Sequence, residues 1–344
     1  MKILVTGAAG FIGYHLCRRL LADGHTVTGI DNLNDYYDPA LKTARLALLG
    51  YRDGISTDPK FTFLRADIAD TGTMTRIFSE GKFDTVVNLA AQAGVRYSIE
   101  NPRAYVQSNV DGFLNILEGC RDNKVGHLVF ASSSSVYGLN GNVPFSEHDS
   151  IAHPVSLYAA TKKSGELMAH AYSRLYSLPV TGLRFFTVYG PWGRPDMSPY
   201  LFADAILSDR PIKVFNNGDM MRDFTYIDDI VEAMTRIICI IPKGDPDWNA
   251  AQPDPATSPA PYRIYNIGSS SPVRLMDFIS EIERAAGREA QKQMLPMQPG
   301  DVTQTWADCS SLIAATGFAP ATPLRKGVEE TVAWFKAYKG INHF

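Results

Sequence analysis

The chain opens on a segment that predicts its fold, Ile3-Leu4-Val5-Thr6-Gly7-Ala8-Ala9-Gly10-Phe11-Ile12-Gly13. The apolar start is typical of a buried strand, and a helical pattern begins after the last glycines. Glycine lets the backbone turn sharply and approach a pyrophosphate, while a helix N-terminus offers free N–H groups and partial positive charge. We therefore predict a dinucleotide phosphate site formed by Gly7, Gly10, Phe11, Ile12 and Gly13.

Further β-rich runs alternate with helical patterns over the first 190 residues. Strands are predicted at 3–6, 26–31, 61–66, 85–89, 127–132 and 179–185, and helices at 12–23, 71–80, 105–123 and 157–177. Most strands lack polar alternation, as expected when helices cover both faces of a sheet. This order predicts an α/β fold, a doubly wound parallel sheet. The alternation loosens after residue 190, where segment 242–261, with six of the 21 prolines, is interpreted as a surface loop of a second lobe.

Composition excludes several classes of protein. The 344 residues are 45% hydrophobic and 20% charged, which is typical of a globular protein. A net charge of −3 gives no basic excess for nucleic acid, and no apolar run could span a membrane. The scattered histidines and the unpaired Cys17, Cys120, Cys239 and Cys309 predict no metal site and a reducing, cytoplasmic location.

Asp31 ends the second predicted strand, 24 residues after Gly7. A carboxylate there accepts hydrogen bonds from the adenosine ribose and repels a 2′-phosphate. Because no Lys or Arg follows before Lys42, NAD is favoured over NADP, although Asp31 could instead serve only the turn. Other strand ends add cofactor-binding candidates, namely Asn32, Asp67, Ile68, Leu89, Ala90 and Ala91.

Tyr158 and Lys162 are four residues apart and share one face of a predicted helix. A nearby ammonium favours phenolate, so this tyrosine could act as a base near neutral pH. Four serines at 132–135 close the fifth predicted strand and could orient a substrate hydroxyl beside it. The alternative to a catalytic pair is an ordinary amphipathic helix, in which Lys162 extends its ammonium group to solvent and has no catalytic role.

Together these motifs resemble an extended short-chain dehydrogenase/reductase over essentially the whole chain, and within it the NAD-dependent nucleotide-sugar epimerases. Longer segments are most similar to UDP-glucuronate 4-epimerases, namely AQAGVRYS (91–98), HPVSLY (153–158), FFTVYGPWGRPDM (185–197) and RDFTYIDD (222–229). The resemblance implies a Rossmann-type NAD-binding domain over 1–190 and a smaller α/β lobe over 191–344 that mainly binds the nucleotide sugar. Some segments of that lobe are expected to return to the first domain. A homodimer through the helices near 105–123 and 157–177 is also implied.

The implied reaction converts UDP-glucuronate to UDP-galacturonate by transient oxidation at C4 and hydride return. Tyr158 would take the proton of the 4-hydroxyl, Lys162 would hold the nicotinamide ribose and lower the Tyr158 pKa, and Ser133 would bridge to O4. Dehydratases and decarboxylases of this family carry acidic residues where this chain has Ser134 and Ser135, which argues against both activities.

A uronate substrate needs its carboxylate held, because a 4-keto uronate tends to lose CO₂. Arg194 could hold it, with Thr187, Ser134 and Ser135 as neutral donors, unless Arg194 is only a surface charge. UDP-galactose epimerases usually have Asn at the Thr187 position. UDP-glucose 4-epimerisation is the alternative activity, and a catalytically silent regulator that senses NAD or nucleotide sugar is the alternative of another class.

The UDP end of the substrate is assigned by the same resemblance. Arg222 is expected at the diphosphate and Asp301 at the uridine ribose, although a salt bridge and a turn are simpler roles for them. Many relatives have Arg where this chain has Gln298, so Arg96 or Arg263 would supply the second diphosphate contact.

Overall fold

The computed structural model describes residues 1–298 and 300–341. Its strands are β1 (Lys2–Thr6), β2 (Thr26–Asp31), β3 (Tyr51–Arg52), β4 (Ile55–Ser56), β5 (Phe61–Arg65), β6 (Thr85–Asn88), β7 (His127–Ser133), β8 (Val180–Phe185), β9 (Thr187–Tyr189), β10 (Ile212–Val214), β11 (Met221–Arg222), β12 (Phe224–Tyr226), β13 (Tyr262–Ile267), β14 (Val273–Arg274) and β15 (Lys292–Met294). Its helices are α1 (Phe11–Ala22), α2 (Pro39–Leu48), α3 (Thr71–Gly81), α4 (Tyr97–Glu100), α5 (Pro102–Val106), α6 (Gly112–Asp122), α7 (Leu157–Tyr176), α8 (Ser198–Leu207), α9 (Ile227–Ile238), α10 (Leu275–Ala286), α11 (Ser310–Thr316) and α12 (Leu324–Tyr338). One π-helical turn, Gln107–Asp111, joins α5 to α6.

Seven parallel strands form the central sheet in the order β13-β8-β7-β6-β1-β2-β5. All six strands predicted from the sequence lie in it, so the predicted doubly wound parallel sheet is confirmed. Strands β6 and β8 are buried along their whole length, as expected for strands covered by helices on both faces, although Asn88 and Arg184 are among their residues. The chain order reverses between β1 and β6, and such a reversal opens a ligand-binding crevice at the carboxyl ends of the strands.

The second half of the chain forms smaller sheets and helices beside that crevice. β12 pairs with β9 in parallel, β10 with β15 in parallel, and β11 with β14 in antiparallel fashion. β13 leaves this part and completes the central sheet against β8, in line with the expected return of some segments. Among the residues described, no helix is long and apolar enough to cross a membrane.

Segment 242–261 has no helix or strand, as predicted, but its position differs from the prediction. The Ala256 carbonyl accepts a hydrogen bond from the Ile264 amide of β13 at 3.0 Å. The Ser258 hydroxyl lies 2.9 Å from His170 Nε2 on α7. The end of the segment is therefore buried beside the central sheet, because its small side chains allow close packing against β13 and α7.

Candidate functional site

A cavity of about 370 Å³ lies at the carboxyl ends of the central strands. Its phosphate end is built from glycines whose conformation and contacts exclude other residues. Gly7 has φ +69°, and a Cβ on Gly13 would stand 2.0 Å from the Gly7 carbonyl oxygen. That carbonyl accepts the Gly10 amide at 2.9 Å, and no side chain caps the start of α1. The first turn of α1 therefore lines the cavity with backbone, as a pyrophosphate site requires.

Asp31 lies buried at the end of β2, where its carboxylate accepts the Leu33 amide at 2.9 Å and the Ala9 amide at 3.3 Å. Burial raises the pKa of this carboxyl group, while the positive charge of Lys42 acts in the opposite direction. Lys42 Nζ lies only 3.9 Å from Asp31 Oδ1, inside the same cavity. The expectation that no cation stands near Asp31 is therefore wrong.

Helix α2 explains why sequence reasoning missed Lys42. It begins with Asp38 as N-cap and Pro39 at its first position, and it carries Lys42 back to the end of β2. That Asp-Pro start is the signal that could have placed Lys42 on a first helical turn.

The remaining predicted cofactor residues also line the cavity, namely Asn32, Asp67, Ile68, Leu89, Ala90 and Ala91. Asn32 Nδ2 donates to Asp67 Oδ2 at 3.0 Å, and the Ala69 amide donates to Asp67 Oδ1 at 2.9 Å. These contacts fix the loops after β2 and β5 against each other. The glycine turn, the buried carboxylate of Asp31 and these strand ends together fit NAD.

Tyr158 and Lys162 lie on the first turns of α7, whose N-cap Ser156 accepts the Ala159 amide at 3.1 Å. Lys162 Nζ donates to the Ala131 carbonyl at 2.8 Å and lies 6.0 Å from the centre of the Tyr158 ring. Ser133 lies near enough to Tyr158 for its hydroxyl to act on the pKa of the phenol. The structure thus brings the three predicted catalytic residues together in the cavity.

The pKa values at this point differ from the expectation. Burial raises the pKa of Tyr158, while the Ser133 hydrogen bond and the charge of Arg194 act to lower it. Burial lowers the pKa of Lys162 to about 8, and Arg194 adds to this effect. The ammonium of Lys162 is hydrogen-bonded to the Ala131 carbonyl, so the groups that act to lower the pKa of Tyr158 are Ser133 and Arg194.

Thr187, Arg194, Ser134 and Ser135 line the same cavity as Tyr158. The Arg194 side chain is 22% exposed and is therefore not a free surface charge. It forms a two-pronged ion pair with Asp196, with Nε–Oδ1 at 3.0 Å and Nη2–Oδ2 at 2.5 Å. The Tyr36 hydroxyl donates to Asp196 Oδ2 at 3.1 Å. Sequence reasoning missed Asp196 and Tyr36, although the Arg-x-Asp spacing was visible.

Arg96, Arg222 and Asp301 lie close together but are not among the residues that line this cavity. Arg96 Nη2 lies 3.3 Å from Asp301 Oδ2, and its guanidinium stacks 4.9 Å above the Phe215 ring. Arg222 donates to the carbonyls of Val302 at 2.6 Å and Met221 at 2.8 Å. Their roles toward a nucleotide remain predictions.

Arg96 and Arg263 are the two candidates for the second diphosphate contact, and the structure favours one of them. Arg263 is the second residue of β13, far from the carboxyl end of that strand, and it stacks on Tyr265 at 5.4 Å. Arg96 instead lies beside Asp301. Arg263 is thus the wrong candidate, and Arg96 remains. Pro299, which precedes this turn, lies outside the described residues.

Comparison with known proteins places this geometry among close relatives. The model of the NAD dependent epimerase/dehydratase family matches residues 3–268. Protein CapI of Staphylococcus aureus is 53% identical over 98% of this chain and 99% of its own length. A probable UDP-glucuronate 4-epimerase of Rhizobium meliloti (strain 1021) is 46% identical over 97% of both chains. The crystal structure of UDP-glucuronic acid 4-epimerase from Bacillus cereus, in complex with UDP-glucuronic acid and NAD, is similar with a TM-score of 0.86. That similarity has 34% identity and covers 98% of this chain and 100% of that one.

Proposed function

The chain belongs to the NAD dependent epimerase/dehydratase family and is an NAD-dependent nucleotide-sugar epimerase, for which we propose UDP-glucuronate as substrate and UDP-galacturonate as product. One observation carries the proposal. A single cavity is lined by the glycine turn and Asp31, by Tyr158 and Ser133, and by Arg194. We assign residues 1–190 mainly to the cofactor and residues 191–344 mainly to the sugar nucleotide.

Tyr158 Oη is the proton acceptor for the sugar 4-hydroxyl in this proposal, and it returns the proton when the sugar is reduced again. Ser133 lines the same cavity and acts to lower the pKa of the phenol, and in this proposal it bridges to O4. NAD held by the glycine turn and Asp31 would supply the hydride acceptor for C4 as NAD⁺ and the hydride donor as NADH, and the positive charge of NAD⁺ would favour the phenolate form of the tyrosine. The same tyrosine can thus act as base and then as acid within one turnover.

Lys162 has a positional role that follows from its contacts. The ammonium donates a hydrogen bond to the Ala131 carbonyl, near the carboxyl end of β7. From there it can donate its remaining N–H groups to the ribose of the nicotinamide end. We assign it to the cofactor for this reason.

Arg194 and neutral hydroxyls make the sugar end suitable for a uronate. Among the described residues that line the cavity, the carboxylates are Asp31 and Asp67, and both lie at the strand ends assigned to adenosine. A carboxylic acid positioned to expel a C6 hydroxyl is therefore not part of this wall, which disfavours dehydration. Charge-assisted hydrogen bonds from Arg194 would hold the substrate carboxylate out of line with the C4 carbonyl and so prevent loss of CO₂.

The test is to incubate the purified protein separately with UDP-glucuronate and UDP-glucose, and then to resolve the epimers and any CO₂. We expect UDP-galacturonate to form without CO₂ from the first substrate. Turnover of UDP-glucose alone would identify a UDP-glucose 4-epimerase. Tightly bound NAD without turnover of either sugar would identify a sensing protein.

We also propose a homodimer through α6 and α7. Five apolar side chains on these helices are exposed, namely Leu114, Leu157, Leu167, Leu175 and Tyr176. Exposed apolar surface of this kind marks protein interfaces. Sedimentation velocity should show a dimer, and Leu167→Glu should shift it toward monomer; a monomeric native protein would refute the proposal.

A cytoplasmic location is proposed from the cysteines. All four are unpaired, which is typical of proteins kept in a reducing compartment. Fractionation of the producing cells should recover the protein with the cytoplasmic contents.

A further inference from the structure

Lys42 is a buried cation in the cofactor cavity that the sugar chemistry does not use. Lys42 is 5% exposed. Its ammonium donates to the Asn34 backbone carbonyl at 2.9 Å and to Asn34 Oδ1 at 2.7 Å. The Tyr37 ring lies 5.0 Å from Nζ on another side. Since an ammonium has three donors and Asn34 takes two, the third remains for Asp31 or for a ligand in the cavity.

Arg45, one turn further along α2, is a second buried cation in this region. It is fully buried and donates to the Ala9 carbonyl at 2.9 Å, the Tyr37 hydroxyl at 2.7 Å and the Trp192 carbonyl at 2.6 Å. All of these partners are neutral, and within residues 1–298 and 300–341 no carboxylate lies in salt-bridge range of Arg45. Its charge reaches Asp31, which therefore faces two cations.

Two other acidic groups lie nearby, and the charge of one of them, Asp35, also acts on Lys42. Asp35 is exposed on the loop after β2. Asp67 lines the cavity, but Asn32 and the Ala69 amide occupy its oxygens. The single carboxylate in salt-bridge range of Lys42 among the described residues is thus Asp31.

We propose that Lys42, supported by Arg45, forms a latent site for the 2′-phosphate of NADP, which the Asp31 carboxylate alone keeps closed. With Asp31 present, its charge offsets that of Lys42 and repels a phosphate dianion. Without that charge, a buried ammonium with a free donor would face the position of the adenosine 2′-oxygen. The proposal concerns the cofactor, so it does not depend on which sugar the protein epimerises.

The test compares the bound nucleotide of full-length variants. Native protein, Asp31→Ser, and Asp31→Ser with Lys42→Met are each equilibrated with equimolar NAD⁺ and NADP⁺. Free nucleotide is then removed, and the bound nucleotide is released by acid and measured by chromatography. We expect Asp31→Ser to raise the bound NADP:NAD ratio by roughly 10- to 150-fold, the range of one charged hydrogen bond, and Lys42→Met to reverse most of that gain.

Several controls keep the result interpretable. Asp31→Asn preserves an acceptor for the Leu33 amide, so it replaces Asp31→Ser if that variant does not fold. The exposed Lys60→Met serves as the matched lysine control in the Asp31→Ser background and should leave the gain intact. In the Asp31→Ser variant, added salt should weaken the retention of NADP more than that of NAD, because salt screens the attraction between the ammonium and the phosphate. An unchanged ratio in both Asp31 variants, or a gain that survives Lys42→Met, would overturn the proposal.

Discussion

Asp196 holds the guanidinium of Arg194 by two hydrogen bonds, from Nε and Nη2, and neither bond uses Nη1. The pair is partly buried, with side-chain exposures of 22% and 27%. The Tyr36 hydroxyl closes the other side of the carboxylate. Arg194 can therefore bind a substrate carboxylate without leaving Asp196, and Asp196 determines its direction.

Arg194→Ala should lower kcat/KM for UDP-glucuronate by roughly 10- to 150-fold, because a charged hydrogen bond contributes about 1.5–3 kcal/mol. A freed carboxylate can also rotate into line with the C4 carbonyl, so pentose product or CO₂ should appear. The measurement is steady-state kinetics on uronate and glucose nucleotides, with product analysis.

UDP-glucose is the internal control for this variant, because its C6 hydroxymethyl group offers no charge to Arg194. Asp196→Asn is the matched protein control, since it keeps Arg194 but weakens its anchor. Equal losses on both sugars would place Arg194 at the diphosphate or in the scaffold. Undiminished uronate turnover would remove it from substrate binding.

Tyr158→Phe should lower kcat by roughly 100-fold or more, the scale of general acid–base catalysis, while leaving the fold and the bound NAD unchanged. The phenylalanine ring can keep the edge contact with Tyr105, whose ring centre lies 6.0 Å away. Turnover, thermal melting and nucleotide content together test this. A kcat near that of the native protein would exclude Tyr158 as the base.

Lys162→Met should stabilise the protein freed of cofactor by about 1–3 kcal/mol at pH 7 while abolishing most activity. Burial lowers the pKa of Lys162 to about 8, so its charged form opposes folding at neutral pH. Between pH 8 and about 10.5 the unfolded chain binds more protons than the native one, and native stability rises with pH. The advantage of the variant should therefore be full below pH 8 and shrink toward pH 10.

Lys163→Met is the control for that series, because Lys163 donates to the Ile151 carbonyl outside the cavity. Melting curves of all three proteins between pH 6.5 and 10 provide the measurement. A Lys162→Met variant that is less stable than the native protein at pH 7 would contradict the argument.

Glu166→Gln should destabilise the protein by about 3–5 kcal/mol, because it removes one partner of a buried ion pair. Both carboxylate oxygens of Glu166 lie 2.9 Å from Arg184, which is fully buried on β8, and one also accepts the Ser132 hydroxyl at 2.6 Å. Urea unfolding measures the loss. The double variant Glu166→Leu with Arg184→Met should recover much of it, and a loss below about 1 kcal/mol in Glu166→Gln would show that the pair is not needed.

Local patterns in the sequence were sufficient to predict the parallel sheet, and in the site they were sufficient to predict the glycine turn and the Tyr158–Lys162 pair. The glycine turn at Gly7–Gly13 and the pair Tyr158–Lys162 depend on contacts within a few residues, where spacing along the chain sets position in space. Strand burial likewise follows from composition, so six strands of the central sheet could be predicted without knowing their partners, namely β1, β2, β5, β6, β7 and β8.

Only the tertiary structure decided how the charged side chains are paired. Lys42 reaches Asp31 because α2 turns back over the end of β2, and Arg96 reaches Asp301 across more than 200 residues of chain. Burial, which raises the pKa of Tyr158 and lowers that of Lys162, is equally a property of the packed molecule. The sequence therefore determined which chemical groups are present and on which elements they lie. Packing determined their partners and charge states, because Coulomb interactions and desolvation depend on distance in space and not on distance along the chain.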